Sequence, residues 1–278
     1  MEIRRLNDAD RPAIDRYLAP IEPRALFLVG NALQHGIDDR GGPMQGGWVG
    51  AFEGGRLVGL AASFRGPGAL LPACGGNEAA ILPALLEGPV LPRVVLGPAE
   101  AVDRALPFVA AQLRHIVEER LFVLRWGDHR GRNAVHAAPA RPGQEADVAA
   151  LIGALHREAG MPTDEPTIRA TAERQVAAGS VQTVQEGGRI LAMSTEAAAT
   201  GRYLHVGATY CVPEARRRGL AGACVSAVLE RARREGRASD GAALFTGREN
   251  TPAIRLYEAM GFRADVDWKL AFLATTTA

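Results

Sequence analysis

The pattern of apolar and polar positions repeats once along the chain. Two apolar runs flank a glycine pair at Glu53-Gly54-Gly55-Arg56, and the same pattern returns at Glu186-Gly187-Gly188-Arg189, about 130 residues later. Consecutive glycines supply the positive φ angles that a two-residue hairpin turn needs, and the flanking runs are typical of strands. Each of the two segments therefore predicts a β-hairpin.

The elements before each hairpin also follow one order. A short strand leads into an acidic helix start, at Asn7–Asp10 in the first half and at Gly143–Asp147 in the second, and more helix follows. A chain of 278 residues is long for one compact domain and sufficient for two. The polar segment His129–Asn133 indicates a boundary near residue 132. We therefore expect two similar domains, residues 1–132 and 133–278.

The second half predicts an α+β fold. Helical periodicity of the apolar positions and local start and stop signals predict helices over 145–158, 164–178, 217–235 and 251–260. Strands are predicted over 134–140, over a three-strand meander at 180–212, and over 242–247 and 262–273. For each domain we expect a mixed, mostly antiparallel sheet flanked by helices.

Composition and charge narrow the classes of function. Hydrophobic residues make up 47% of the chain and charged residues 23%, which is ordinary for a folded protein. A net charge of +1 gives no general attraction to nucleic acid or to an anionic membrane, so we expect no partner of either kind. We find no secretion signal and no long apolar run, and therefore expect a cytoplasmic protein. The three cysteines have no CxxC spacing, which favours buried thiols over disulfides or a metal site.

The segment Val212–Gly222 carries the strongest chemical signal, because a strand passes there into a helix through three arginines and Gly219. Free N–H groups at a helix start, with the positive end of the helix dipole, form a site for phosphate oxygens. Glycine at position 219 lets an anion approach the backbone, since no Cβ stands in the way. An exposed basic helix start is the alternative interpretation of the arginines.

Two motifs of this half resemble the GNAT acetyltransferase family. Arg216-Arg217-Arg218-Gly219-Leu220-Ala221 resembles the family's R/Q-x-x-G-x-G/A signature, and Val212-Pro213-Glu214-Ala215 before it resembles the usual lead-in from the fourth strand. Asn250–Phe262 resembles the family's N-x-x-A-x-x-L-Y-x-x-x-G-F helix. The order and spacing of the two motifs are also similar to those of the family.

The resemblance implies an N-acetyltransferase that moves acetyl from acetyl-CoA to a primary amine by direct attack in a ternary complex, with no metal. It implies that the backbone near Cys211 and Val212 contacts the pantetheine arm and that Asn250 helps to hold the cofactor. Tyr257 is implied to be the catalytic proton donor to the departing thiolate. The residues implied to bind the pyrophosphate are Arg216, Arg217, Arg218, Gly219, Leu220, Ala221 and Gly222.

Residues of the second motif also have structural interpretations. Asn250 is a suitable N-cap, with Pro252 in the first turn of its helix. Tyr257 lies two helical turns beyond Asn250 on the same face, so a core aromatic is the alternative to a proton donor. Gly261 is expected just beyond the helix in a left-handed conformation.

The sequence identifies no general base. An amine must lose its proton before it can attack, and many family members use a glutamate on the fourth strand. No glutamate lies between Tyr203 and Val212, which leaves Glu196 and His205 as candidates, each with a structural role as the alternative. Cys211 has no histidine partner placed by a motif, so direct transfer is favoured over a covalent intermediate.

The first half lacks these motifs. Arg65–Leu70 runs into Leu71-Pro72 instead of a helix, and Cys74-Gly75-Gly76-Asn77 has no arginine at the required place. A helix expected over Gly97–Leu113 contains no tyrosine. The arrangement resembles bacterial two-domain members of the family with a degenerate N-terminal copy, which we expect to form a wall of the acceptor cleft or a homodimer surface.

Two functions of different classes remain open. The first is an acetyltransferase whose acceptor is a small-molecule amine or a peptide amine. The second is a catalytically inactive protein that binds acetyl-CoA as a sensor or binds a partner, which the missing glutamate suggests. Release of CoA thiol with a panel of amines separates the two, because a sensor binds the cofactor without turnover.

Overall fold

We describe a computed structural model of the protein for residues 1–109, 113–131, 135–162 and 164–274. In this part of the chain the strands are β1 (Glu2–Arg5), β2 (Gly46–Glu53), β3 (Arg56–Phe64), β4 (Ala69–Ala73), β5 (Val94–Pro98), β6 (Leu113–Arg125), β7 (Ala138–Pro139), β8 (Val181–Glu186), β9 (Arg189–Ala199), β10 (Gly201–Cys211), β11 (Ala238–Gly247) and β12 (Arg263–Leu273). The helices are α1 (Arg11–Leu18), α2 (Leu26–His35), α3 (Glu78–Leu86), α4 (Ala99–Ala105), α5 (Glu145–Glu158), α6 (Glu165–Ala177), α7 (Leu220–Arg234) and α8 (Thr251–Ala259).

The chain divides into two compact units. Unit 1 comprises Met1–Leu121 and the segment that begins at Val266, and unit 2 comprises Phe122–Asp265. The expected boundary between residues 132 and 133 lies outside the described residues. The units differ from a simple division into halves, because the end of the last strand, β12, belongs to the first unit.

Unit 1 contains a mixed sheet with helices on its faces. Strands β1 to β4 pair antiparallel in chain order, and β4 pairs parallel to β5. Strand β12 adds antiparallel to β5, from Trp268↔Pro98 to Phe272↔Val94, which explains its place in this unit. Neighbours on β2, Trp48 and Val49, enter different core clusters, because side chains of a strand alternate between faces.

Unit 2 repeats this arrangement. Strands β7 to β10 pair antiparallel in chain order, and β10 pairs parallel to β11. Helices α5 and α6 pack through Val148, Ile152 and Ala172, and α7 places Val225 and Leu229 in a second cluster. The α+β fold with a mixed, mostly antiparallel sheet in each unit is therefore confirmed.

Both predicted hairpins are present. In the first turn Gly54 and Gly55 have φ of 54° and 78°, and in the second Gly187 and Gly188 have φ of 57° and 82°. The strands that meet at these turns pair through Glu53↔Arg56 and Glu186↔Arg189. Two consecutive positive φ angles match the twist of the flanking strands, so the glycine pairs alone were sufficient to predict the two hairpins.

Two predicted helices differ from the structure. The helix expected over residues 97–113 is α4 at Ala99–Ala105, followed by a 3-10 turn at Leu106–Phe108, while residues 110–112 of the expected range lie outside the described residues. Pro107 explains the difference, because proline has no N–H and its ring clashes with the preceding helical turn. The helix expected to begin at residue 217 begins at Leu220, since the positive φ angles of Arg217 and Gly219 do not fit a right-handed helix.

The three cysteines are free thiols, of which Cys74 and Cys224 are buried and Cys211 is half-buried. None of the helices in the described ranges is both long enough and apolar enough to span a lipid bilayer.

Candidate functional site

Strands β10 and β11 separate part-way along their length. They pair in parallel from Gly201↔Ala238 to His205↔Ala243, and between the described residues the pairing goes no further. On its other side β10 stays paired with β9 as far as Cys211↔Ala192. The backbone of β10 beyond His205 therefore borders an opening within the sheet, on the side of β11.

A bulge in β10 marks the point of separation. The register between β10 and β9 shifts between Val206↔Glu196 and Thr209↔Ser194. Gly207 lies in this bulge, where a Cβ would stand only 2.5 Å from Oγ1 of Thr195. A bulge bends a strand and increases its local twist, so this extra residue explains why β10 diverges from β11.

The chain passes from β10 into α7 through a 3-10 turn at Pro213–Ala215 and a second turn at Arg216–Gly219. Arg217 has a φ of 64° and is the only non-glycine residue with a positive φ among those described, while Gly219 has a φ of 78°. A left-handed non-glycine residue costs on the order of 1–3 kcal/mol, and such strain clusters at functional sites. Alternating backbone hands also direct successive N–H groups into an anion-binding concavity.

The start of α7 has free backbone donors. Its first helical hydrogen bond runs from the Ala223 N–H to the Gly219 carbonyl at 3.1 Å, and no side chain that the structure describes caps the helix. The N–H groups of Leu220, Ala221 and Gly222 precede that bond and are available to an anion. A Cβ built on Gly219 would meet no atom within 4 Å, so the space beside this glycine is open.

The side chains of this helix start have packing roles. Leu220 is buried in the core of unit 2, so it offers only its backbone to a ligand. Gly222 is also buried, and a Cβ there would lie 3.0 Å from Cδ1 of Leu256 on α8. The glycine at position 222 thus permits the close approach of α7 and α8.

Arg216 is held by the end of α5. Its Nη2 donates to the two carboxylate oxygens of Glu158 at 2.8 and 2.7 Å, and its Nε donates to the Cys211 carbonyl at 3.0 Å. The Tyr210 hydroxyl donates to the same carboxylate at 2.6 Å. Hydrogen bonds from Tyr210 and Arg216 lower the pKa of Glu158, so this carboxylate is ionised at neutral pH. Sequence reasoning missed Glu158, which lies 58 residues from Arg216 with no local signal to join them.

The other two arginines of the turn differ from each other. Arg218 pairs with Glu186, the last residue of β8. Arg217 is exposed and forms no ion pair with any residue that the structure describes. Of the three arginines, Arg217 therefore has the charge that is most available to an incoming anion.

Backbone groups at Cys211 and Val212 largely form hydrogen bonds within the protein. The Val212 N–H donates to the Leu191 carbonyl at 2.9 Å, and the Val212 carbonyl accepts from the Ala215 N–H at 3.0 Å. Burial raises the pKa of the Cys211 thiol, so it is protonated at neutral pH and is a poor nucleophile. The open edge of β10 lies upstream of both residues, after His205, and sequence reasoning did not single it out.

Helix α8 begins and ends as the sequence predicts. The Asn250 Oδ1 accepts from the Ala253 N–H at 3.3 Å, and Pro252 lies in the first turn. Gly261 has a φ of 101° beyond the end of the helix. The N-cap role of Asn250 and the left-handed conformation of Gly261 are confirmed.

Tyr257 is 5% exposed and belongs to the core of unit 2. Its ring contacts Phe122 and Phe262, with centroids at 6.4 and 5.9 Å. The same cluster contains Val206 and Leu244, the first residues of β10 and β11 after their last pair. The ring therefore has the predicted packing role and lies in the cluster next to the strand separation, while its role as proton donor stays a prediction.

Neither candidate base is arranged to accept a proton from an amine. Glu196 forms an ion pair with Arg237, and its side chain is only 11% exposed. His205 is buried against Phe245, with ring centroids at 5.3 Å, and burial lowers its pKa to about 4. At neutral pH the imidazole is therefore uncharged and too weakly basic to hold a proton taken from an alkylammonium group.

The corresponding place in unit 1 has different chemistry. Within the described ranges, strands β4 and β5 pair through Ala69↔Val94 and Leu70↔Val95 and no further, so they separate as β10 and β11 do. The following turn, Cys74–Asn77, leads into α3, whose first turn holds the buried Glu78. Arg104 of α4 donates from Nε to Oε1 of Glu78 at 2.7 Å. Unit 1 thus places a buried carboxylate in the first turn of this helix, where the first turn of α7 in unit 2 has no acidic residue.

Residues 148–262 match the acetyltransferase (GNAT) family. This region extends from α5 to the end of α8 and includes both motifs. It supports a GNAT acetyltransferase assignment for unit 2. No curated protein sequence matches the chain.

Solved structures share the fold over nearly the whole chain. A Drosophila protein has a TM-score of 0.69 at 14% identity, with 99% of each chain covered. A GCN5-related N-acetyltransferase from Sphaerobacter thermophilus has a TM-score of 0.61 at 16% identity, covering 97% of this chain and 94% of its own. A tandem GNAT protein from the clavulanic acid biosynthesis pathway has a TM-score of 0.53 at 14% identity, covering 100% and 99%. These likenesses show a GNAT-like fold, and the tandem arrangement is consistent with the two units.

Proposed function

We propose that unit 2 is an N-acetyltransferase that transfers acetyl from acetyl-CoA to a primary amine by direct attack in a ternary complex. The observation that carries this proposal is the opening between β10 and β11, which leads through a strained turn to the uncapped start of α7. The family match over residues 148–262 supports it.

The residues of the turn fit the pyrophosphate of acetyl-CoA. The N–H groups of Leu220, Ala221 and Gly222 offer donors, the space beside Gly219 is open, and Arg217 adds an available positive charge. Arg216 and Arg218 add positive charge nearby, although Glu158 and Glu186 offset it. An anion at a helix start is stabilised by both donors and dipole.

The strand edge fits an extended chain that carries amide groups. Backbone groups of β10 beyond His205 have no partner strand on the β11 side among the described residues, so they are free to pair with a pantetheine-like arm. We propose that the arm follows this edge toward Cys211 and Val212 and that Asn250, at the start of α8, borders the cofactor.

Acetyl-CoA supplies the acetyl group as a thioester when it is bound. The chain itself supplies orientation along β10 and a proton from Tyr257, whose hydroxyl we propose protonates the departing sulfur. The proton that the nitrogen loses as the amide forms leaves to water, and a proton from water restores the Tyr257 hydroxyl. Neutral phenols keep their proton at pH 7 and can donate a hydrogen bond. Because Glu196 is paired and His205 is weakly basic, we propose that the amine loses its proton to water before it attacks.

Purified protein incubated with acetyl-CoA and a panel of small-molecule and peptide amines tests the proposal. We expect CoA thiol to be released only when both acetyl-CoA and a suitable amine are present. Tight binding of acetyl-CoA without release of thiol for any amine would favour the inactive sensor. If the protein does not bind acetyl-CoA, both the enzyme and the sensor are contradicted.

A further inference from the structure

Unit 1 contains a cleft that acetyl transfer in unit 2 does not use. It has a volume of about 470 Å³ and lies where β4 and β5 separate, lined also by residues of the segment from α1 to α2 and by residues of β12. Small-molecule sites in proteins have volumes of roughly 300–1,000 Å³, so this cleft is large enough for a ligand.

The walls of the cleft are mainly apolar. Aromatic rings of Tyr17, Phe27 and Trp268 line it together with Leu71 and Leu96. Phe27 and Trp268 also contact each other, with ring centroids at 6.1 Å. Such a lining favours a ligand that buries apolar or aromatic surface.

The charged groups of the cleft are already paired or lie at its rim. Arg104 is bound by Glu78 and Glu100, and Asp267 accepts from Arg120 at 2.8 Å. Arg24 is exposed at the rim. A ligand that buried a charge among the apolar walls would lose its hydration and would have to compete with these existing pairs, which is unfavourable.

Polar groups deeper in the cleft are uncharged and largely satisfied. The Tyr17 hydroxyl donates to the Ala73 carbonyl at 2.8 Å on the edge of β4. Burial raises the pKa of both Tyr17 and the Cys74 thiol to about 12, so both keep their protons at neutral pH. The strand edge that would hold a phosphorylated arm thus already accepts a hydrogen bond from Tyr17, and the first turn of the following helix holds the Glu78 carboxylate.

We propose that the cleft between β4 and β5 of unit 1 binds an uncharged, mainly apolar small molecule, up to the size of a three-ring aromatic compound. The apolar walls supply the affinity, and the internal pairing of Glu78 with Arg104 excludes phosphorylated ligands. Its existence does not depend on acetyl transfer, since every residue that lines it belongs to unit 1.

N-Phenyl-1-naphthylamine, a neutral probe that fluoresces on entering an apolar site, tests the proposal with the full chain. We expect saturable binding at about one site per chain, with coenzyme A failing to displace the probe. Naphthalene-2-methanol should displace it, whereas 2-naphthoate, of similar size but charged, should need at least about ten times the concentration. Equal potency of the two competitors, or displacement by coenzyme A, would overturn the proposal.

Replacing each of two alanines by tryptophan tests where the probe binds. Ala99 lines the cleft at the start of α4, while Ala79 is exposed on α3 and does not line it. Ala99→Trp should weaken probe binding at least about tenfold by filling the cleft, and Ala79→Trp should leave it within about twofold. Equal affinity of both variants, or no saturable binding by the wild type, contradicts the proposal. Circular dichroism verifies that each variant is folded. If Ala99→Trp does not fold, the displacement of the probe by the competitors still decides the question.

Discussion

In unit 2 the turn from β10 into α7 carries three arginines, whereas in unit 1 the turn from β4 into α3 carries none, although no described side chain caps either helix. Unit 1 instead places the buried Glu78 in the first turn of its helix, where Arg104 binds it. Both units keep the same strand order and the same early separation of two parallel strands. A shared backbone arrangement therefore provides the opening, and only a few side chains decide whether it suits an anion.

The largest expected difference between the units is the number of cofactors bound. We predict that the full chain binds about one acetyl-CoA, in unit 2, and none in unit 1, because Glu78 would repel the pyrophosphate from the start of α3. Isothermal titration calorimetry measures the stoichiometry. Two acetyl-CoA molecules per chain would show that the cleft of unit 1 accepts phosphates after all.

Tyr257→Phe tests whether unit 2 is catalytic. The substitution removes the proposed proton and little volume, so kcat should fall roughly 10²-fold while acetyl-CoA affinity stays within a few-fold. Steady-state CoA release and calorimetry measure the two quantities. Tyr203→Phe is the matched control, because Tyr203 is also buried in unit 2 but lies on the paired part of β10. Full turnover by the Tyr257 variant would leave that residue with its packing role alone.

Gly219→Val tests the anion turn. We expect acetyl-CoA to bind at least about tenfold more weakly, a loss of about 1.4 kcal/mol or more, because the new side chain enters the open space beside the turn. Valine is also strained at a φ of 78°.

A matched glycine separates these two effects. Gly236, beyond the other end of α7, has a φ of 65° and equally open surroundings. Gly236→Val therefore carries a similar backbone strain without touching the proposed site, and its acetyl-CoA affinity should match the wild type. Equal weakening of both variants would assign the loss to helix stability.

The smallest effect concerns Glu158. Glu158→Gln removes a negative charge that offsets Arg216, so acetyl-CoA should bind about twofold more tightly at low salt, and the gain should vanish at high salt. The effect is small because both side chains are about half exposed. Asp240→Asn, which breaks the Arg202 ion pair near the start of β10, changes the net charge equally and should have no such effect. Markedly weaker binding by Glu158→Gln would show that the ion pair holds the turn in shape.

Local features of the sequence determined much of the fold. Glycine pairs specify both hairpins, and Asn250 and Gly261 mark the two ends of α8. The motif at residues 216–221 marks the strand-to-helix turn. These features depend on backbone conformation within a few residues, which side-chain type controls directly. They also indicated that the chemistry differs between the two halves.

Only the tertiary structure decided the features that join distant segments. Strand β12 ends in unit 1, Glu158 reaches Arg216 across 58 residues, and Arg104 pairs with Glu78 across 26. It also paired Glu196 with Arg237 and buried His205, whose pKa is thereby lowered to about 4. Ion pairs and burial of this kind arise from packing between segments that have no fixed spacing in sequence, and so the local pattern of residues carries no signal for them.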